Sequence, residues 1–190
     1  MGDVFLDRTA LADRVSELSA EISSRPPDDD LVVVCVLTGS IVFAADLCRS
    51  LTVPHSTSFV ALEGYDGRRG GPPNSVRVLL DLDQTISERD VLIVDDIVDT
   101  GLTLNHLRKL IAARRPRSLE MCVLLDRPCR RLIDDLPLRY VGFTVPDELF
   151  VGYGLGLHGR VRHLPDLHLV EREPMRPATT DDTQAVAGVS

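Results

Sequence analysis

Uninterrupted apolar runs alternate along this chain with amphipathic stretches, and the alternation sets the elements. Leu31-Val32-Val33-Val34-Cys35-Val36-Leu37 and Val91-Leu92-Ile93-Val94 are apolar at every position and mostly β-branched, the pattern of strands buried on both faces of a parallel sheet. Leu11, Val15, Leu18 and Ile22 recur at helical spacing with polar residues between them, so an amphipathic helix is expected there, capped near Asp7 or Thr9. Residues 56–62, 76–82, 119–125 and 139–145 read as further strands, and residues 41–51 and 102–114 as helices that follow the two apolar runs. Strands alternating with helices predict an α/β fold, a central and mostly parallel twisted sheet flanked by helices.

The polar residues just after Val94 change the picture. Asp95-Asp96-Ile97-Val98-Asp99-Thr100-Gly101-Leu102-Thr103 brings three carboxylates, then a hydroxyl-and-glycine turn, to the carboxyl end of a buried strand, the edge where open α/β sheets bind ligands. The helix after the turn offers unpaired backbone N–H groups to an anion. Thr100, Gly101, Leu102 and Thr103 therefore suit a phosphate monoester, with Gly101 permitting close backbone approach. Asp95 and Asp96 suit sugar hydroxyls or a magnesium ion holding them. Thr38-Gly39-Ser40 repeats the geometry after the first apolar run, and a second anion site is the inference.

Composition narrows the partners. A net charge of −8 at pH 7 and an isoelectric point near 5.1 argue against a general nucleic-acid or membrane-surface role, because either needs a basic face. Cys35, Cys48, Cys122 and Cys129 show no CxxC spacing and read as small packing residues in a reducing compartment. No apolar stretch reaches membrane-spanning length and the amino terminus lacks a basic region followed by an apolar run, so a cytoplasmic location is expected. Residues 25–30 form a solvated acidic loop, residues 63–75 a Gly-, Pro- and charge-rich insertion suited to a lid, and residues 173–190 a frayed polar tail, leaving one domain over residues 1–172.

The strand, the acidic pair and the Asp-Thr-Gly turn together closely resemble the phosphoribosyl pyrophosphate (PRPP) signature of the type I phosphoribosyltransferases. Leu125-Asp126-Arg127-Pro128, then Val141-Gly142-Phe143 and the run from Pro146-Asp147 to Val151-Gly152-Tyr153, are most similar to the hypoxanthine-guanine branch. The resemblance implies a type I fold with a small hood, built from the amino-terminal segment and residues 145–170, and a flexible catalytic loop at residues 63–75. It implies transfer of 5-phosphoribose from PRPP to a 6-oxopurine with release of pyrophosphate, magnesium as cofactor, and a homodimer or homotetramer whose other partners are small-molecule substrates.

Residue by residue, the resemblance makes Asp99 the acceptor of a base proton, with the ribose and 5′-phosphate at Asp95, Asp96 and the turn from Asp99 to Thr103. Magnesium falls to Asp95 and Asp96. Pyrophosphate falls to Thr38, Gly39, Ser40 and Arg162. The base falls to Ile97, Arg127, Leu149 and Phe150, with Ile97 and Phe150 as the apolar surfaces that sandwich it and Arg127 donating to its exocyclic oxygen. Tyr65 matches the tyrosine of the loop's Ser-Tyr pair.

The chain also departs from the pattern. Thr38 stands where lysine is usual, Gly64 where serine is, Leu149 at the common aromatic position, and Gly156 where an aspartate helps hold the pyrophosphate-bound magnesium. These departures fit a specialised paralogue of nucleoside natural-product biosynthesis, using adenine, a deazapurine or a modified sugar pyrophosphate. A non-catalytic PRPP sensor is the alternative from a different class. His158 and His163 are not spaced as metal ligands.

Overall fold

Asp7 starts the first helix. Its carboxylate accepts the backbone N–H groups of Thr9 and Ala10, both at 2.9 Å, satisfying donors that a helix amino terminus otherwise leaves unpaired. In the computed structural model, which describes residues 2–24, 30–64, 76–157 and 159–170, β1 (Val4–Leu6) leads into this helix, α1 (Arg8–Ser23), whose Leu11, Val15, Leu18 and Ile22 are buried. The elements that follow are β2 (Leu31–Leu37), α2 (Ile41–Ser50), β3 (His55–Gly64), β4 (Val76–Leu80), β5 (Asp90–Val98), α3 (Leu102–Ala112), β6 (Ser118–Asp126), a 3₁₀ turn at Pro128–Arg130, β7 (Tyr140–Thr144), β8 (Phe150–Val151) and β9 (Leu167–Leu169). Tyr65 and the rest of the insertion to residue 75, residues 25–29, His158 and the tail from residue 171 lie outside the described residues.

The main sheet has the order β4-β3-β2-β5-β6-β7. All its pairings are parallel except that of edge strand β4 with β3. Because successive strand residues face opposite sides, the apolar runs divide between two cores. Leu31, Val33 and Cys35 of β2 and Leu92 and Val94 of β5 pack with α1 and α2 residues such as Leu18, Phe43 and Leu47. Val32, Val34, Val91 and Ile93 pack on the other face with Leu104, Leu107 and Ile111 of α3. Each strand is therefore buried on both sides, which is why its sequence shows no polar alternation.

β5 outlasts its apolar run. The sequence ends the strand near Val94, whereas pairing with β6 continues through Asp95–Val123 and Ile97–Leu125 to Val98–Asp126, so the first two acids sit on the strand itself. A polarity change marks where the core stops. The ladder stops only where the neighbouring backbone does. α3 likewise closes at Ala112 rather than near residue 114.

A separate three-stranded antiparallel sheet, β1-β9-β8, lies over one end. Gly2 and Leu169 bond through Gly2 N–H to Leu169 O at 2.9 Å, and Asp166 accepts both the backbone N–H (2.8 Å) and the guanidinium (3.0 Å) of Arg8. Residues from opposite ends of the sequence thus form one unit. No helix among the described residues is long and apolar enough to cross a membrane.

Candidate active site

The carboxyl ends of β2, β5 and β6 open into two cavities that share a wall. The smaller, about 90 Å³, is lined by Asp95, Asp99, Thr100, Gly101 and Thr103, with Ile97 and the α3 residue Leu104 among its apolar walls. Gly101 caps α3 with φ of 80°, a left-handed conformation that glycine adopts without penalty, and the turn curls so that Leu102 N–H faces Thr100 Oγ1 at 3.4 Å. The product is a cup of hydroxyls at a helix amino terminus. Leu102 itself does not line it.

The larger cavity, about 230 Å³, is lined by Gly39, Asp96, Asp99, Arg127 and Arg162, with Ile97, Leu149, Phe150, Leu155 and Gly156 completing the wall. Asp95 and Asp96, adjacent in sequence, thus line different cavities, while Asp99 and Ile97 border both. The two carboxylates nevertheless feel each other. Burial first, then the charge of Asp96, push the Asp95 carboxyl well above the usual carboxylate range. Burial also raises Asp96, partly offset by the N–H of Ile97, which it accepts at 2.7 Å, and by the charge of Arg162. Two desolvated carboxyl groups at a sheet edge offer oxygen atoms of the kind a hard divalent cation takes.

The turn after β2 differs from its sequence-based reading. Thr38 is exposed and outside the cavity lining. Ser40 is fully buried and its hydroxyl donates to Val36 O at 2.5 Å, so that side chain holds the turn together and is not offered to an anion. Gly39 alone of the three lines the cavity. A Cβ there would lie 1.6 Å from Asp96 Oδ2.

Phe150 is less open to the cavity than its sequence-based reading expects. Expected as one face of a base sandwich, it lines the larger cavity but is only 3% exposed, with its ring 4.9 Å from that of Phe5 and tilted by 52°. β8 is covered on both sides, so Phe150 and Val151 are both buried. Leu149 is 43% exposed at the mouth and, with Ile97, supplies the apolar surface a planar base would meet.

Arg127 is buried, 3% exposed. It donates to Asp99 Oδ1 at 3.0 Å and to the carbonyl of Glu148, and its guanidinium carbon lies 5.7 Å from the centre of the Phe150 ring. Asp99 and Glu148 each take one terminal nitrogen of its fork, while its buried Nε has no hydrogen-bond partner among the described residues. Arg130, 3.8 Å from Asp99 Oδ2 and 2.5 Å from Asp147, is a neighbour the sequence reading passed over. The arginine-rich stretch from Arg127 to Arg131 was its signal. Arg162 donates to Gly154 O at 2.6 Å and lines the larger cavity, where its charge acts on Asp96. His163 lies outside both cavities, and no cluster of metal-ligating side chains of three or more occurs among the described residues.

Comparison with known proteins decides the family. The model of the phosphoribosyl transferase domain matches residues 2–155. The chain belongs to the phosphoribosyltransferase family. Among curated proteins this phosphoribosyltransferase is 42% identical over 165 residues to the hypoxanthine phosphoribosyltransferase of Salmonella typhimurium, covering 86% of this chain and 92% of that one. It is 40% identical over 167 residues to the hypoxanthine-guanine phosphoribosyltransferase of Mycobacterium avium, covering 85% and 81%. A crystal structure of a hypoxanthine-guanine phosphoribosyltransferase from Bacillus anthracis superposes with a TM-score of 0.84 at 37% identity, covering 90% of this chain and 99% of that one. The phosphoribosyltransferase therefore has the type I fold and is an enzyme of the pentosyltransferase class.

Proposed function

We propose that this enzyme transfers the 5-phosphoribosyl group of PRPP to a ring nitrogen of hypoxanthine or guanine, giving the nucleoside monophosphate and pyrophosphate in purine salvage. The observation that carries this is the position of Asp99, on the wall shared by a hydroxyl-lined cup at a helix amino terminus and a larger cavity with apolar and cationic walls. A sugar phosphate in the cup and a base in the cavity would meet beside that carboxylate.

Asp99 accepts the proton from the ring nitrogen next to the attacking one, the work of a general base. Thr100, Gly101 and Thr103 hold the 5′-phosphate with hydroxyls and the α3 amino terminus, and Asp95 and Asp96 orient the ribose hydroxyls. Gly39 lets the β2 turn approach the pyrophosphate, and Arg162 neutralises it. Ile97 and Leu149 enclose the base, and Arg127 offers N–H donors to its exocyclic oxygen while linking Asp99 to the backbone at Glu148. Asp95 and Asp96 would hold magnesium, which supplies charge neutralisation at the leaving pyrophosphate. We take the enzyme to act in the cytoplasm as a homodimer or homotetramer, on small molecules rather than nucleic acid or membrane, in keeping with its net charge of −8.

Pyrophosphate release measured with hypoxanthine, guanine, adenine and a deazapurine tests the assignment directly. Turnover confined to the 6-oxopurines is expected, and turnover with adenine alone overturns it. Asp99→Asn lowers kcat by roughly two orders of magnitude, the scale of a lost general base, while PRPP binding by calorimetry persists. Unchanged turnover in that variant removes Asp99 from the chemistry.

A further inference from the structure

Behind the β2 turn, outside both cavities, the fold brings two cysteines together. Cys35 lies on the β2 face that packs with α1 and α2, alongside Leu31 and Val33. On β3, His55 and Thr57 pair with Leu31 and Val33 in parallel register, so they point to that same face. α2 lies over it with Phe43, Ala44 and Leu47 buried. Cys48, the residue after Leu47, is partly buried and packs against the core cluster that contains Cys35. Its sulfur lies 3.9 Å from Thr57 Oγ1, and it meets the Cys35 thiol and His55. Two residues with no motif spacing in sequence become neighbours because α2 folds back along β2.

The two thiols are not equivalent. Cys35 is 1% exposed, whereas Cys48 borders Thr57, which is exposed, so a small solute reaches Cys48 first. A bond from the Cys35 thiol draws Cys48 down to about 6, against its burial and with help from Thr57 and His55. His55 Nδ1 faces Val53 O at 2.9 Å. A carbonyl only accepts, so that nitrogen carries the proton and leaves Nε2 to take another. The contact with Cys48, then burial, pushes Cys35 up, and it keeps its proton. One sulfur is a reachable nucleophile and the other a shielded thiol beside it. With His55 they do not make a metal-holding cluster among the described residues.

We infer that Cys48 and Cys35 form a modification site for hydroperoxides, in which Cys48 is oxidised and Cys35 closes a disulfide with it. The Cys48 thiolate attacks one peroxide oxygen and the O–O bond breaks. Sulfur gives up two electrons and keeps that oxygen as a sulfenic acid, while the other oxygen takes a proton from solvent and leaves as water or an alcohol. Cys35 Sγ then attacks Cys48 Sγ; the S–S bond forms, the S–O bond breaks, and the hydroxide departs with the Cys35 proton as water. The uncharged sulfenic acid no longer supplies the contact that chiefly held Cys35 up. The new bond ties α2 to β2 and closes a ring around Thr38, Gly39 and Ser40, so the turn that meets Asp96 lies inside the cross-link.

The test treats reduced full-length protein with equimolar hydrogen peroxide, unfolds it in iodoacetamide and maps its peptides by mass spectrometry. Cys35 and Cys48 are expected to lose alkylation in equal measure, their peptides to appear joined with two hydrogens fewer, and dithiothreitol to restore both, while Cys122, buried in β6, stays fully alkylated. Cys35→Ala should leave Cys48 as a sulfenic acid that dimedone captures, and Cys48→Ser should protect Cys35. The wild-type map decides by itself if either variant fails to fold. Cys48 carried on to the sulfinic acid with Cys35 still alkylated would overturn the inference, as would an intact Cys48 in protein whose exposed Cys129 has been consumed.

Discussion

The turns after β2 and β5 lie side by side on one sheet edge and look alike in sequence, each a buried strand, a short turn with glycine and hydroxyls, and a helix. They are built differently. In the β5 turn the hydroxyl residues Thr100 and Thr103 line a cup and Gly101 is glycine because its φ is 80°. In the β2 turn Thr38 is exposed, Ser40 is tied back to Val36, and Gly39 is glycine because Asp96 Oδ2 occupies the place of a Cβ. One turn lines its cavity with hydroxyl-bearing residues. The other contributes by having no side chain at Gly39, and a glycine therefore reports either a backbone conformation or a neighbour, which only the neighbour can distinguish.

Substitutions separate the two roles. Gly39→Ala carries the largest effect: the Asp96 carboxylate must leave the cavity, and kcat/KM for PRPP is expected to fall by about two orders of magnitude, the scale of a misplacement near 1 Å, with thermal stability almost unchanged. A variant of normal activity would show that Asp96 is not needed where it stands. Thr103→Val removes one donor from the cup and should raise the KM for PRPP about tenfold, as expected for a hydrogen bond to a charged group, with kcat preserved. If kcat fell instead, the hydroxyl would be acting on the chemistry and not on the phosphate.

Gly101→Ala is the counterpart of Gly39→Ala and should show the opposite profile, a loss of roughly 1–2 kcal/mol of stability from the left-handed backbone by chemical denaturation, with much of the activity of the folded fraction kept. The smallest effect lies away from both turns. Arg8, through its guanidinium and its backbone N–H, holds the Asp166 carboxyl below the usual range. A depressed carboxyl stabilises the fold above its unfolded-state pKa, near 3.9 for aspartate, and that contribution disappears as pH falls through the folded value. Denaturation midpoints of wild type and Asp166→Asn should therefore differ at neutral pH and converge once pH falls below the lowered folded-state value, and a gap that persists in acid would exclude the ion pair as its source.

Much of the site was legible because its signals are local. Asp95, Asp96, Asp99 and the turn to Thr103 follow one another in sequence, so any fold that ends a buried strand there delivers them to a single edge. Arg127 was legible as a donor near the base but not as a buried residue, because its burial comes from Phe150 and Glu148, more than twenty positions downstream. The burial of Phe150 was not legible for the same reason: Phe5, from the opposite end of the domain, packs against its ring. The second sheet, which pairs residues 4–6 with residues 167–168, leaves no pattern in either segment alone, being too short to show a period.

By itself the sequence determined the layering of the protein, because runs apolar at every position can be buried only in a sheet covered on both faces, and it determined which edge of that sheet carries the acids. Tertiary structure alone decided which cavity each acid lines, which glycines serve a backbone angle and which make way for Asp96, and where Arg127 spends its donors. The physical reason is range. Periodicity and turn chemistry act over a few residues, whereas steric exclusion and desolvation depend on whatever chain the fold brings alongside.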